Sequence, residues 1–304
     1  MVRFERLDLN LLVALDALIE DRSVSVSARR LNLSQPALSG ALNRLREFFE
    51  DELLIPTGRT MVLTGKAKEL RDPVREALML IRARITTPRS FDPATAERNF
   101  VIAASDYAFN VLLTTVLQQS AAMAPGLSFE IMPTDRQAFE RLERGEVDLL
   151  VTLSDYLLPE HPRQALWEDD HAVVCWKDGV HGSGLTIDAF LSAPHVIAYF
   201  GPERNPAFTE RYFTEQGLKR RIDLRLPNFT ALPQAIVETD RIGTMYRRHA
   251  EYFAGILPLA IHQPPMPMPR ITEEVQWHGS RSADEGLRWL VELMARQARR
   301  LHEL

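Results

Sequence analysis

The chain is poor in the residues from which several classes of protein are built. Cys175 is its one cysteine, so no intrachain disulfide framework is available and a reducing compartment is expected. Within Val173-Val174-Cys175-Trp176 that thiol reads as a buried structural group rather than a nucleophile. No apolar run approaches the length needed to cross a bilayer. The first residues include early acids and no apolar stretch leading to a small-residue cleavage site, so no secretory signal is read, and a cytoplasmic protein without a membrane partner is expected. No Gly-x-Ser-x-Gly motif occurs and no glycine-rich phosphate loop follows an expected strand. His161, His171 and His181 are spread through a loop-rich region without the close pairing typical of a metal site. Neither an enzyme, nor a metal, nor a cofactor is expected. Basic excess is lacking as well: the formal net charge is −5, so any nucleic-acid binding needs a local basic surface. What the 304 residues do have is 45% hydrophobic content, enough for a sizeable core and for two domains or one large one.

The most informative stretch is Ser23 to Arg46, which reads as two helices joined by a tight turn. Ser25 can cap the first helix by accepting from a first-turn amide. Val24, Ala28 and Leu31 then recur at the i, i+4, i+7 spacing of one buried face, and Ala28 is small enough to let a second helix cross closely. Asn32 tolerates the left-handed conformation that ends a helix, and Leu33 can plug the corner. Ser34 caps the second helix, with Pro36 in its first turn, where a missing amide costs little. Leu38, Leu42 and Leu45 repeat the buried stripe. Gln35, Pro36, Ser39, Gly40 and Asn43 remain as short polar groups and bare backbone, a face suited to base edges in a major groove. Arg44 and Arg46 are placed to reach phosphates. An ordinary helical hairpin has the same spacing, so the pattern alone leaves both readings open.

Arg29-Arg30-Leu31-Asn32-Leu33-Ser34-Gln35-Pro36-Ala37-Leu38-Ser39, with Leu42 and Arg44-Leu45-Arg46 after it, resembles the DNA-binding signature of LysR-type transcriptional regulators. Asp8-Leu9-Asn10-Leu11-Leu12 resembles the branch that contains nodulation activators and regulators of aromatic-compound degradation. The match runs more loosely over the whole chain. One departure is Ser27, where the family commonly has a second alanine and where a serine fits the volume. The resemblance implies an N-terminal winged helix-turn-helix, all-α with a small β wing, over residues 1–64. It implies a linker and dimerisation helix over 65–89, and an α/β, two-lobed, periplasmic-binding-protein-like effector domain over 90–304. It further implies a double-stranded DNA operator, a small-molecule inducer of aromatic or phenolic type, a homo-oligomer arranged as a dimer of dimers (a homotetramer), and RNA polymerase as partners. The expected role is a ligand-responsive activator of a catabolic or symbiosis-type operon. The rival is a small-molecule-binding α/β protein or enzyme with an N-terminal helical docking module.

Leu9 to Glu20 reads as a first helix. Leu53 to Ile55 and Met61 to Leu63 read as short strands around the turn Pro56-Thr57-Gly58-Arg59. Arg59 at the tip can enter a minor groove, touch phosphate or simply face water. Over Lys66 to Arg84, Ala67, Leu70, Val74, Ala77 and Ile81 alternate by three and four, the spacing of a coiled-coil seam. A helix docked on its own domain shows the same stripe. Pro73 interrupts it.

Beyond the polar break from Thr86 to Pro93, strands and helices alternate, which argues for parallel sheet. Strands are expected at Phe100–Ala104, Leu127–Met132, Val147–Leu153, His171–Trp176, His195–Phe200, Ile222–Leu226, Ile242–Tyr246, Ile256–Ile261 and Ile271–Trp277. Helices are expected at Asp106–Met123, Arg136–Arg144, Pro206–Gln216, Thr230–Glu238, Ala250–Ala254 and Ala283–Leu301. Ligands of open α/β sheets sit at the carboxyl ends of strands. Ser105 and Asp106, directly after the first strand, therefore read as a polar anchor, although Ser105 also suits a helix cap. Tyr199, Phe208 and Phe229 can clasp a ring, and Asn205 and Thr244 can bond a hydroxyl or carboxylate. By the family resemblance Asp170 faces the effector cleft.

Overall fold

The computed structural model describes residues 8–58, 60–81, 91–200 and 205–301, and the side chains of Phe200 and Asn205 lie outside the described residues. The chain divides into two compact units, Met1–Pro88 and Arg89–Leu304. No described helix is long and apolar enough to cross a membrane.

In the first unit, α1 (Leu9–Asp21) is capped by Asp8, whose carboxylate accepts from the Asn10 amide at 2.9 Å. The cap of α2 (Val24–Arg30) is Ser23, not Ser25. Ser23 has the extended backbone a cap requires, and its hydroxyl accepts from the Val26 amide. Ser25 is already inside the helix. Ser27 is fully buried and donates to the Ala17 carbonyl at 3.0 Å, pinning α2 to α1. Asn32 takes the left-handed conformation, φ 53°, and α3 (Gln35–Phe49) starts on the Ser34 cap. Leu38, Leu42 and Leu45 are buried together with Ala28, Leu15 and Leu18. Leu33 does not plug the corner, being 47% exposed. Its amide closes the turn instead, donating to the Ala28 carbonyl at 2.8 Å.

The antiparallel strands β1 (Leu54–Thr57) and β2 (Thr60–Leu63) form the wing, with Leu54 opposite Leu63. They run through much of the expected turn, leaving Gly58 at the tip with φ 62°, a backbone that suits glycine. At the wing base the buried Leu53 is itself left-handed. Asp51 holds it there, its carboxylate accepting from the Leu53 amide (2.7 Å) and the Thr64 hydroxyl (2.6 Å).

Helix α4 (Gly65–Ile81) continues through Pro73. Ala67, Val74 and Leu78 are buried in the core of this unit, and Leu70 packs against it. Arg75 fastens α4 to α1 through Asp16 (3.3 Å) and Glu20 (2.5 Å). The stripe that suits a dimer seam is thus largely used within its own unit, while Leu80 is exposed. The remainder of the expected linker, residues 82–89, lies outside the described residues.

The second unit has two lobes. The first contains β3 (Arg98–Ala104), α5 (Asp106–Ala108), a π-helical turn (Phe109–Leu113), α6 (Thr114–Met123), β4 (Leu127–Met132), α7 (Arg136–Glu143), β5 (Leu149–Leu153) and β6 (Arg163–Asp169). The chain then crosses over to β7 (His171–Trp176), α8 (Ile187–Ser192), β8 (Pro194–Phe200), β9 (Asn205–Pro206), α9 (Phe208–Glu215), β10 (Arg221–Leu226), β11 (Ile242–Tyr246), α10 (Arg247–Ala254) and β12 (Leu259–His262). It returns through β13 (Ile271–Gln276) to close with α11 (Glu285–Leu301). The sheets run β4-β3-β5-β13-β6 and β10-β8-β11-β7-β12. Parallel pairing holds for β3 with β4 and β5 and for β8 with β10 and β11. The crossover strands β7, β12 and β13 pair antiparallel, so both sheets are mixed.

Three differences from the sequence reading have local causes. The expected helix from Thr230 to Glu238 reduces to a 3₁₀ turn at Pro233–Ala235. Proline contributes no amide to an α ladder, and Glu238 turns left-handed at the far end. Strand β6 was not among the expected strands, and it lacks clean alternation because Leu166 and Trp167 are both buried beside a register shift in the β13 pairing. The stretch expected as one helix, 106–123, contains the π turn, where the Thr114 hydroxyl donates to the Phe109 carbonyl.

A buried ionic cluster ties the first lobe together. Arg98 on β3 reaches Asp284 (2.7 Å) and Asp148 (3.3 Å), and Arg281 bonds both acids. Asp284 also accepts from the Leu287 amide at the start of α11. Burial pushes the Asp284 carboxyl up, but the bonds from Arg98 and Arg281 prevail and hold it at about 2. A folded-state value below the unfolded one stabilises the fold above the ordinary aspartate range, and this is lost as pH falls toward 2. Asp284→Asn is expected to cost about 3 kcal/mol in urea unfolding at pH 7, by leaving buried arginines short of charge. The deficit should shrink progressively below pH 4, and a deficit independent of pH would contradict the assignment.

Candidate nucleic-acid interface and effector cleft

On the first unit the start of α3 is open. Ser34, Gln35, Pro36, Gly40 and Asn43 are exposed and Ser39 is half-buried. Nothing would meet a side chain at Gly40 within 4 Å, so a flat surface can approach the backbone there. A groove of about 660 Å³ lies beside it, between the α1–α2 corner, Gln35 and the Thr60–Val62 strand of the wing. Arg44 is exposed, within 3.8 Å of Asp8. Arg46 is occupied: its guanidinium donates to the Glu52 carbonyl (2.9 Å) and the Leu54 carbonyl (2.9 Å) and pairs with Glu52. It braces the wing rather than standing clear to meet a phosphate. Arg59 lies outside the described residues.

In the second unit the lobes meet at a polar and aromatic junction. Ser105 caps α5, accepting from the Ala108 amide at 3.1 Å. Asp106 reaches across to the second lobe, accepting from the Thr230 amide (2.6 Å) and hydroxyl (2.7 Å). From the π turn, Asn110 donates to the Thr230 hydroxyl (3.2 Å) and to His249 Nε2 (3.0 Å). Burial pushes His249 down to about 4, the Asp106 charge opposing, so its imidazole is neutral and can accept. Tyr107 is fully buried. Its hydroxyl donates to Asp169 (2.7 Å) and accepts from the Trp167 indole (2.8 Å). The Tyr107 ring lies 4.6 Å from that of Tyr246, which in turn contacts Phe229 (5.6 Å) and His171 (5.3 Å). Phe208 stacks on His171, and Arg211 lies over Phe208 and over Tyr156 of the first lobe.

Among the buried polar atoms of this region that have no hydrogen-bond partner in the described residues are Thr244 Oγ1 and Glu273 Oε2. Thr244 is opposite Val173, and Tyr246 opposite His171, on the same face of β11. Burial pushes Glu273 up to about 8, with Asp169 adding to the rise. Unpaired buried polar atoms are costly, and next to ring faces they are the features of a site that takes a ligand with both apolar surface and hydrogen-bonding groups.

The sequence-derived effector set is thus only partly assembled. Asp106, Phe208, Phe229 and Thr244 come to the junction. Asp170 does not: its carboxylate is about half exposed and pairs with Arg270 at 3.1 Å. Its neighbour Asp169, the last residue of β6, takes the buried position. Tyr199 is half-buried where β8 meets β9, and the Asn205 side chain lies outside the described residues. Tyr107, Tyr246 and Glu273 were not singled out by sequence reasoning, and of the polar run Asp169-Asp170-His171 only Asp170 was chosen. An acid inside the strand Ile271–Gln276 was the one available signal, for Glu273.

Residues 9–68 match the bacterial regulatory helix-turn-helix protein, lysR family, and residues 94–299 match the LysR substrate binding domain. The chain belongs to the LysR family. As such it is a ligand-responsive transcriptional regulator and not an enzyme, and regulators of this family bind DNA and small-molecule effectors and form oligomers. The regulator is 42% identical over 302 residues to nodulation protein D 1 of Rhizobium tropici, covering 99% of this chain and 98% of that protein. It is 40% identical to nodulation protein D of Bradyrhizobium sp. (strain ANU 289), covering 98% and 88%. The crystal structure of a probable transcriptional regulator from Pseudomonas aeruginosa superposes with a TM-score of 0.63 at 28% identity, covering 96% and 98% of the two chains.

The raised Glu273 carboxyl has a pH consequence. A folded-state value near 8 against an ordinary one near 4.5 means the folded form holds the proton longer. Its contribution is therefore fully present below about pH 4.5 and is lost as pH rises through 8. Glu273→Gln is expected to raise the melting temperature of the regulator at pH 8.5 and to change it little at pH 5. Calorimetric melts at the two pH values check this, and an equal shift at both would remove the buried neutral acid.

Proposed function

We propose that the regulator is a cytoplasmic activator of a catabolic or symbiosis-type operon, binding a double-stranded operator as a homo-oligomer, a dimer of dimers, and acting with RNA polymerase. In this reading residues 1–64 bind DNA, 65–89 link and assemble the protomers, and 90–304 bind an aromatic or phenolic inducer. The observation that carries the inducer class is the pairing of ring faces from Tyr246, Phe229 and Phe208 with the unpartnered Thr244 hydroxyl and Glu273 carboxyl. A phenol offers both complements, a flat apolar body and a hydroxyl. The similarity to two nodulation D proteins supports a symbiosis-type target.

At the operator, Gln35 is the base reader, with Ser34, Pro36, Ser39, Gly40 and Asn43 allowing close approach, and Arg44 meets phosphate. Gln35→Ala is expected to cost about 1–3 kcal/mol at one half-site position and to relax preference there. Arg44→Ala should weaken all sequences alike and flatten the salt dependence. Fluorescence anisotropy on cognate and random duplexes separates the two, and equal losses on both duplexes for Gln35→Ala would deny it a reading role. For the inducer, calorimetric titration with phenols, benzoates and flavonoids is expected to find a saturable ligand. Thr244→Val should weaken it severalfold while operator affinity holds. A wild-type response in that variant moves the site, and no binding across the panel removes the aromatic assignment.

A further inference from the structure

Three side chains far apart in sequence converge on one corner of the first lobe. Glu143 is the last residue of α7, His161 lies in the loop before β6, and His278 lies two residues beyond β13. His161 Nε2 is 2.7 Å from Glu143 Oε1, and the two imidazole rings are 4.5 Å apart. One ligand atom from each of the three residues lies within 4.8 Å of the others. We propose that Glu143, His161 and His278 form a binding site for a divalent first-row transition cation, zinc in the first instance.

The ligand set fits that chemistry. Two imidazoles and a carboxylate suit zinc and its neighbours, leaving a fourth position for water. Magnesium and calcium prefer all-oxygen shells and are poorly served here. Metal–nitrogen and metal–oxygen bonds near 2.1 Å in tetrahedral geometry set ligand atoms about 3.4 Å apart, so the His161–Glu143 hydrogen bond opens and gives way to the ion.

The corner is braced by further contacts. Buried Gln276 donates to the Leu158 carbonyl (2.6 Å) and accepts from the Leu158 amide (3.0 Å), fixing the loop to the end of β13. The Trp277 amide donates to the Pro162 carbonyl at 3.2 Å. Ser280 engages His278 Nδ1 through its hydroxyl (2.8 Å) and its amide (3.2 Å), an outer contact of the kind that orients a ligating imidazole. Left-handed Gly145, φ 66°, turns the chain away just beyond Glu143. His161 is nearly buried while Glu143 is exposed, so an ion can enter from the carboxylate side.

The test uses the full chain with any affinity tag removed and prior treatment with a chelator. Calorimetric titration with zinc chloride is expected to give a saturable site at one ion per chain, and cobalt to give the visible absorption of a low-coordinate site. Magnesium should give neither. Glu143→Gln and His278→Gln keep side-chain bulk at accessible positions, and each should weaken zinc at least about tenfold. His181→Ala, in the other lobe, should leave binding unchanged. Circular dichroism verifies that each variant folds. Absence of a saturable site in the wild type, or wild-type affinity in both ligand variants, overturns the assignment.

Discussion

One carboxylate holds the effector unit in the form described. Asp169 accepts from the Tyr107 hydroxyl, from the Arg248 amide and from the Asp170 amide. It thereby joins the start of the first helix of one lobe, the crossover between the lobes, and helix α10 of the other. Burial raises its pKa, and these bonds offset part of that rise. The neighbouring contacts depend on this anchor. With Tyr107 fixed, its ring meets Tyr246, Asp106 reaches Thr230 and Asn110 reaches His249. The lobes are therefore joined by directional bonds as well as by apolar packing. A ligand that bonds Thr244 or Glu273 can alter this junction only by binding one arrangement of it more tightly than another.

The first unit solves a different problem. A net acidic chain must offer DNA a surface that is neither acidic nor bulky. Several of its described arginines are committed within the unit: Arg30 to Asp21, Arg46 to the wing base, Arg75 to α1. Short hydroxyl and carboxylate caps satisfy the helix ends, so Gln35 and the backbone at Gly40 need no protein partner to be stable. The structural arginines give the corner its geometry, and the exposed Arg44 contributes charge at its edge.

Much of the fold was legible because its signals are local. Ser34, Asn32 and the Leu38-Leu42-Leu45 stripe each act within one or two helical turns, so the corner at 31–36 could be read closely. Strands such as Leu127–Met132 and Ile242–Tyr246 were bounded correctly, because an apolar run between turn residues has few other solutions. Ser23 and Ser25 were confused because both can cap and only the backbone decides which is extended. Leu33 was misplaced because a hydrophobic residue at a corner faces inward or outward according to neighbours that periodicity does not name. The 67-70-74 stripe of α4 looks the same whether α1 or a second protomer covers it.

The sequence by itself determined the LysR family, the helix-turn-helix corner and most of the strands of the effector unit, because these depend on patterns among residues near one another along the chain. Only the tertiary structure decided that Asp169 and not Asp170 is buried, that Glu273 stands uncompensated beside Tyr107 and Tyr246, and that Glu143, His161 and His278 meet. Those outcomes depend on the burial of charge and on sheet register between strands more than a hundred residues apart. No local pattern carries that information, since a carboxylate in a strand has the same neighbours in sequence whether its face is turned to water or to the core.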